Sequence, residues 1–203
     1  MSLPETTPQE RLAALLHLFA DNPLREEALE VIPESEVPEP YYGLLAHNHH
    51  MTVTLEARHH SPVELVVLEE FNDESSYARR LLLRTLEPAG ADVVMAGMMR
   101  TRLMYCDPPV REAILACKTP LGRILIENEV LRWIEPEGYL RLRLDADGRN
   151  FFGTDTAAET YGRLATIYCN GEPAVELLEI IAPESGTNYL SRTEHGPNTK
   201  GAR

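Results

Sequence analysis

Two glutamates lie in the otherwise apolar run VELLEIIAP, residues 175–183. The pair Asn170-Gly171 before this run is typical of a two-residue hairpin turn and favours a β-strand after it. In a strand, Glu179 shares one face with three aliphatic residues, whereas Glu176 points to the other face. A carboxylate on an apolar face either has its pKa raised by desolvation or meets a cation or hydrogen-bond donors. Because both faces of this strand are mostly apolar, at least one of the two glutamates is expected to be partly buried.

The segment YARRLLLRT, residues 77–85, contains an arginine that could pair with a buried carboxylate. Strand alternation places Arg79 on the more apolar face, with Tyr77, Leu81 and Leu83, where a guanidinium needs an anion. Two interpretations stay open. Arg79 and Glu179 form structural ion pairs, with each other or with different neighbours. Alternatively, both line a closed pocket in which the arginine holds a substrate carboxylate and the glutamate meets a hydroxyl.

The other candidate chemistries have weaker support. The histidine-rich stretch 47–50 suggests a metal, but it lacks an HExxH motif or a cysteine partner, and a solvated helix end is favoured. Glycine-rich phosphate loops and the G-x-S-x-G elbow are absent, so nucleotide binding and α/β-hydrolase chemistry have no support. We predict no metal site from these residues.

The elements that position these residues begin with a helix. Thr7, Pro8 and Glu10 form a capping-box pattern before an apolar stripe, which predicts a helix from Pro8. Asn22 and Pro23 repeat this start before LREEALEVI, so a second short helix and a helical hairpin are predicted. The acidic, proline-rich PESEVPEPYY follows the hairpin.

The rest of the chain predicts a mixture of helices and strands. A helix is expected in MTVTLEARHH, and two helices start after prolines in CDPPVREAILACKTPLGRILIENE. Strands are expected in SPVELVVLEEF, YARRLLLRT, ADVVMAGMMRTRL, NEVLRWIEP, GYLRLRLDADG, ATIYC and VELLEIIAP. A helix from Pro173, with Glu172, Glu176 and Glu179 on one face, is the alternative to the last strand. Because both faces of that strand are mostly apolar, the sheet is expected to be covered on both sides.

Composition limits the class of protein. The 203 residues carry a formal charge of -13, which argues against a nucleic-acid surface because phosphate contacts need clustered basic residues. Three cysteines without a CxxC pair indicate no disulfide framework. The N-terminus lacks a signal-peptide pattern, and no apolar run reaches the roughly 20 residues that span a bilayer. We expect a cytoplasmic protein with a small-molecule partner and no membrane insertion.

The chain is predicted to have three parts. Residues 1–40 form the N-terminal helical extension and acidic linker, residues 41–183 form the main domain, and residues 184–203 form a polar tail.

Five motifs, taken in order, resemble the chorismate lyase family, in particular a divergent branch of it. They are LLAHNHHMTVTLE, YARRLLLRT, VVMAG, TPLGRILI and YGRLATIYCNGEPAVELLEIIAP, and they extend from about Leu44 to Pro183. The resemblance implies an α+β fold, in which helices pack on an antiparallel sheet of about six strands and cover an internal site. It also implies elimination of pyruvate from chorismate to give 4-hydroxybenzoate for quinone or aromatic-cofactor synthesis, without a cofactor.

The resemblance nominates five site residues. Arg79 is the implied clamp for the ring carboxylate, and Glu179 is the implied partner of the ring hydroxyl. Met51 matches a position whose backbone contacts product, Gly97 lies beside the pocket, and Leu121 belongs to a flap. The reaction would then depend on positioning and electrostatics more than on proton transfer.

The sequence departs from the family after the AG of VVMAG. Met98 and Met99 stand where better-known members have an arginine directly after these residues, so the partner of a second substrate carboxylate is not evident. Two alternatives to the lyase therefore stay open. One is a non-catalytic module that binds a small aromatic acid, because the fold resembles ligand-sensing domains of bacterial regulators. The other is a lyase or hydrolase for a related enolpyruvyl or aromatic acid.

Overall fold

A computed structural model describes residues 6–19, 23–73, 76–86 and 92–183. The strands are β1 (Leu29–Ile32), β2 (Val63–Asn72), β3 (Tyr77–Thr85), β4 (Val93–Thr101), β5 (Arg132–Arg143), β6 (Glu159–Cys169) and β7 (Glu172–Ile181). The helices are α1 (Pro8–Leu16), α2 (Tyr41–Leu45), α3 (Met51–His59), α4 (Pro108–Leu115), α5 (Leu121–Glu127) and α6 (Ala146–Phe152). The predicted polar tail at 184–203 lies outside the described residues.

The strands form one antiparallel sheet in the order β1-β5-β6-β7-β4-β3-β2. The predicted α+β class with helices packed on an antiparallel sheet is confirmed, with seven strands in the sheet. We call the face covered by α2, α3, α4 and α5 the front face and the face covered by α1 and α6 the back face. Apolar side chains of the sheet pack against helices on both faces, as the sequence of β7 predicted.

The β6–β7 hairpin confirms the interpretation of the Asn-Gly pair. Asn170 and Gly171 have φ angles of 52° and 91°, the positive values that a tight two-residue turn requires. The alternative helix from Pro173 is wrong, because that segment pairs with β6 on one side and β4 on the other. Glu179 thereby becomes a residue of a central strand.

Of the two helices predicted in the N-terminal hairpin, the structure has only the first. The capping box at Thr7 and Glu10 starts α1 as predicted, with the Thr7 N–H donating to Glu10 at 2.8 Å. The second predicted helix is wrong: residues 26–28 form a single 3₁₀ turn, and the chain continues as β1 beside β5. A short isolated helix is marginal, whereas strand pairing satisfies the backbone and buries Leu29 and Ile32. Helix α1 packs on the back face of the sheet and β1 is an edge strand of that sheet. The boundary at residue 40 stays a prediction.

Strand β5 joins two segments that the sequence left separate. It runs through Pro136 and Gly138, where the register with β6 shifts by one residue at a bulge. The segment between β5 and β6 contains α6, which is capped at its C-terminus by Gly153 with φ of 68°.

Candidate functional site

A cavity lies between the front face of the sheet and the start of helices α3 and α5. All five residues nominated from the sequence line it: Met51, Arg79, Gly97, Leu121 and Glu179. The other lining residues are mostly apolar, among them Leu65, Leu81, Leu83, Met95, Met99, Ile134, Ile167 and Leu177. Its volume is about 50 Å³. The fold therefore brings together residues that are up to 128 positions apart in the chain, from Met51 to Glu179.

Arg79 is completely buried in the wall of this cavity. Its Nη1 lies 3.4 Å from the carbonyl oxygen of Ile114, at the long end of the hydrogen-bond range. Among the described residues, Nε and Nη2 have no hydrogen-bond partner. A guanidinium is always charged and carries five donors, so this site has unused capacity to bind an anion.

Glu179 forms a buried ion pair with Arg163, a residue that the sequence analysis did not nominate. Glu179 Oε2 lies 2.7 Å from Arg163 Nε, and the two side chains are 9% and 0% exposed. The two residues are register partners on β7 and β6, so their side chains project from the same face. Arg79 and Glu179 are thus not paired with each other among the described contacts. Glu179 therefore forms an ion pair with a different neighbour and also lines the cavity.

Arg163 also fixes the segment before α3. Its Nη1 donates to the carbonyl oxygens of Leu45 at 3.1 Å and His47 at 2.7 Å, and its Nη2 donates to that of His49 at 3.2 Å. These contacts hold the chain that leads to Met51, whose N–H belongs to the first turn of α3 and has no intrahelical partner. One side chain therefore orders both Glu179 and the start of the covering helix.

Two glycines permit close approach around the cavity. Gly97 lies opposite Leu81 on β3 and Glu179 on β7, and a Cβ there would come within 3.2 Å of the Leu178 carbonyl oxygen. At Gly122, beside Leu121, a Cβ would lie 2.9 Å from the Cβ of His50. Gly122 thus allows the first turn of α5 to contact the residue before α3, which closes the cover.

Arg100 and Arg102, which follow Met98 and Met99, do not line the cavity. Met99 faces front beside Arg79, whereas Arg100 pairs with Glu176 on the back face, where the two side chains lie 2.5 Å apart. Arg102 also contacts Glu176, at 3.5 Å. Neither Arg100 nor Arg102 therefore takes the place of the arginine that better-known family members have directly after the AG.

Solved structures are similar to this chain over part of its length. The effector domain of PhnF from Mycobacterium smegmatis has 11% identity and a TM-score of 0.47, over 68% of this chain and 90% of that chain. PhnF from the same organism has 12% identity and a TM-score of 0.44, over 64% of this chain and 62% of that chain. A GntR-family transcriptional regulator from Bacillus cereus has 13% identity and a TM-score of 0.40, over 61% of this chain and 93% of that chain.

At these identities the similarity concerns the fold alone, and the match spans less than two thirds of the PhnF chain. No protein-family model and no curated protein matches the sequence. No helix in the described part of the chain is long and apolar enough to cross a membrane.

The histidines near α3 serve the protein framework in this structure. Buried His50 accepts a hydrogen bond at 2.6 Å from Arg132 Nε through its Nε2, so the ring is neutral in this contact. Burial, helped by the charges of Arg132 and Arg163, lowers the pKa of His50 to about 4. Burial and the neighbouring Arg163 also lower the pKa of His47. Within the described ranges, no three His, Cys, Asp or Glu residues are grouped as metal ligands.

The low pKa of His50 predicts a pH-dependent loss of stability. The unfolded chain takes up a proton near pH 6.5, whereas folded His50 stays neutral down to about 4. Its contribution is therefore complete above pH 6.5 and declines as the pH falls towards 4, by up to about 3 kcal/mol. Urea unfolding of His50→Gln should vary less across this window than unfolding of the parent protein. His17→Gln, at an exposed histidine, is the control, and an identical pH profile for His50→Gln and the parent would contradict the prediction.

Proposed function

We propose that the protein binds a small carboxylic acid containing a ring, with the ligand carboxylate on Arg79. The observation that carries the proposal is the fully buried guanidinium whose Nε and Nη2 have no partner among the described residues. Glu70 lies opposite Arg79 on β2 and interacts with it electrostatically, but its hydrogen bonds go to Tyr77 and Cys117. A buried charge without a hydrogen-bonded counter-charge is costly. A carboxylate fits the planar fork of arginine through two parallel hydrogen bonds. A bound anion would thus supply the missing partner.

The rest of the lining favours a ring for the body of the ligand. The walls near Arg79 are aliphatic or thioether side chains, which suit an apolar ring held away from water. Cavities of about 150 Å³ accept benzene, so a volume near 50 Å³ requires the walls to move before a ring can enter. Met51, Met95 and Met99 are unbranched and adapt readily to such a change.

Calorimetry with 4-hydroxybenzoate and phenol would test the proposal. The two compounds share the ring and hydroxyl, and only the first has a carboxylate for Arg79. We expect 4-hydroxybenzoate to bind with one-to-one stoichiometry and phenol to bind at least about 30-fold more weakly, as the loss of a buried charge partner implies. Equal binding of both compounds, or binding of neither, would contradict the proposal.

Pyruvate elimination from chorismate is the second candidate function. It is supported by the common location of the five residues that the chorismate lyase resemblance nominates. In this reaction the bond between the ring and the enolpyruvyl oxygen breaks, and the ring carbon that bears the hydroxyl loses its proton, so the ring becomes aromatic. The released enolpyruvate takes up one proton at its methylene carbon to give pyruvate, so the protons balance. Glu179 would orient the hydroxyl and Arg79 would hold the ring carboxylate.

An assay for both products separates this candidate from binding alone. The purified protein is incubated with chorismate and EDTA, and pyruvate and 4-hydroxybenzoate are followed by chromatography. Equal release of both above a protein-free control would support the lyase, and Glu179→Gln should then slow turnover. Absence of release, with 4-hydroxybenzoate still bound, would leave the binding function alone.

A further inference from the structure

We infer that Tyr77 and Cys117 are positioning residues that hold the carboxylate of Glu70 away from Arg79 and so keep the guanidinium open to an anion. This inference rests on the proposed function, because it takes Arg79 as the anion site. Glu70 and Arg79 lie directly opposite each other on β2 and β3, so their side chains project from the same face of the sheet. An ion pair between them would occupy the donors that a ligand carboxylate needs.

Two other groups bind the carboxylate of Glu70. Its Oε1 accepts from the hydroxyl of Tyr77 at 2.5 Å and from the thiol of Cys117 at 2.6 Å. The hydroxyl and the thiol lie 2.9 Å apart, so the three groups form one cluster. The hydrogen bonds from Cys117 and Tyr77 lower the pKa of Glu70, which is therefore a carboxylate at neutral pH. The charges of Glu70 and Arg79 attract each other, yet no hydrogen bond joins them among the described residues.

The backbone at Cys117 supports a specific role for its side chain. Cys117 follows α4 and has a φ angle of 56°, in the left-handed region where glycine is the usual residue. A cysteine there is strained relative to glycine, but it brings the thiol to Glu70. Its Sγ also lies 3.7 Å from the carbonyl oxygen of Ile114, the group that Arg79 Nη1 contacts at 3.4 Å. The end of α4 therefore adjoins both the Glu70 cluster and the guanidinium.

Calorimetry with 4-hydroxybenzoate tests the inference in variants that remove the two donors. In Tyr77→Phe/Cys117→Ala, Glu70 loses both partners and is expected to turn to Arg79. The ligand should then bind at least about 10-fold more weakly than to the parent protein. Addition of Glu70→Gln removes the competing charge and should restore the affinity of the parent. Tyr77→Phe/Cys117→Ser keeps one hydroxyl donor for Glu70 and should bind the ligand within about 3-fold of the parent.

Glu70→Gln alone gives a second test that leaves both donors in place. The amide oxygen can still accept from Tyr77 and Cys117 but carries no charge, so 4-hydroxybenzoate should bind at least about 3-fold more tightly than to the parent. Glu69→Gln, at the preceding residue of β2, is the matched control. It should leave the affinity unchanged, because Glu69 pairs with Arg80 at 3.2 Å on the other face of the sheet.

Urea unfolding without ligand reports whether Glu70 has moved to Arg79. In the parent, Arg79→Met removes a guanidinium of which two nitrogens lack partners among the described residues, and it is expected to stabilise the protein. In the Tyr77→Phe/Cys117→Ala background, the same change would break an ion pair and is expected to destabilise the protein. A role of Tyr77 and Cys117 in packing alone would not reverse this sign.

The outcomes separate the inference from the function on which it rests. Failure of the parent to bind 4-hydroxybenzoate would overturn the proposed function, whereas a reversed sign in urea would still support the hold on Glu70. An Arg79→Met effect of the same sign in both backgrounds, or unchanged ligand affinity in the alanine variant, would overturn the inference. Unchanged affinity in Glu70→Gln would also overturn it, and this variant decides the matter if the alanine variant does not fold.

Discussion

Replacing Arg79 by methionine is expected to weaken 4-hydroxybenzoate binding at least 100-fold, or about 3 kcal/mol. The side chain of methionine is of comparable reach and apolar, so it fills the wall of the cavity but cannot pair with a carboxylate. The same change should stabilise the protein without ligand by about 1–3 kcal/mol. It removes a buried guanidinium of which two nitrogens lack partners among the described residues. Calorimetry and urea unfolding of the variant and the parent measure the two effects.

Arg80→Met is the control for position. Arg80 is the next residue of β3, points to the opposite face and pairs with Glu69 at 3.2 Å. Its replacement should leave 4-hydroxybenzoate affinity unchanged. If Arg79→Met retained ligand affinity, or if Arg80→Met lost it equally, Arg79 would not be the carboxylate site.

Lower affinity together with higher stability would distinguish a binding residue from a framework residue. A framework arginine, such as Arg163, has its donors satisfied by the protein, so its removal destabilises the fold. Arg79 differs, because its Nε and Nη2 donors have no hydrogen-bond partner among the described residues. Sites that bind ligands commonly carry such a stability cost, which the ligand offsets when it binds.

Strand alternation placed Arg79 and Glu179 on apolar faces because it depends on local order alone, whereas the family resemblance chose Glu179 over Glu176. In β3, the period of two separates Arg79 from Arg80 regardless of which strands lie beside them. In β7, the Asn-Gly turn distinguished strand from helix, and the face of Glu179 followed. The neighbours that give these residues their properties depend on register and packing, which alternation does not specify.

Arg163 shows how register limited the prediction. Alternation in YGRLATIYC already places Arg163 on the same face as Tyr161, Ala165 and Ile167, an apolar setting like that of Arg79. Counting back from the turn, where Cys169 faces Glu172, an unbroken hairpin would place Gly162 opposite Glu179. A bulge shifts the pairing by one residue between Ile167 and Tyr168, so Arg163 takes that place instead. The local sequence pattern does not predict the extra residue of this bulge.

The prediction of a second N-terminal helix was wrong for a different reason. LREEALEVI has good helix formers and a plausible start, yet its length is too short for a helix to be stable on its own. The free edge of β5 supplies hydrogen bonds for residues 29–32, and this pairing outweighs local propensity. The availability of that edge depends on the whole sheet.

Arg163→Met is expected to destabilise the protein by about 3–5 kcal/mol, the cost of removing one partner from a buried ion pair. The carboxylate of Glu179 would remain buried without its cation, and the carbonyl oxygens of Leu45, His47 and His49 would lose their donor. For a domain of this size, the melting temperature should fall by about 10 °C. Thermal and urea unfolding measure the change.

Arg100→Met provides the matched control for this expectation. Arg100 and Glu176 are a similar cross-strand pair, but their side chains are 27% and 17% exposed, so about 1 kcal/mol is expected. The double variant Arg163→Met/Glu179→Leu should recover about 1–2 kcal/mol relative to Arg163→Met, because it removes the stranded carboxylate. Equal costs for the Arg163 and Arg100 variants, without recovery in the double variant, would show that the buried pair does not hold Glu179 in place. Recovery of stability without recovery of 4-hydroxybenzoate affinity is the expected signature, since the double variant lacks the acceptor that the ligand hydroxyl requires.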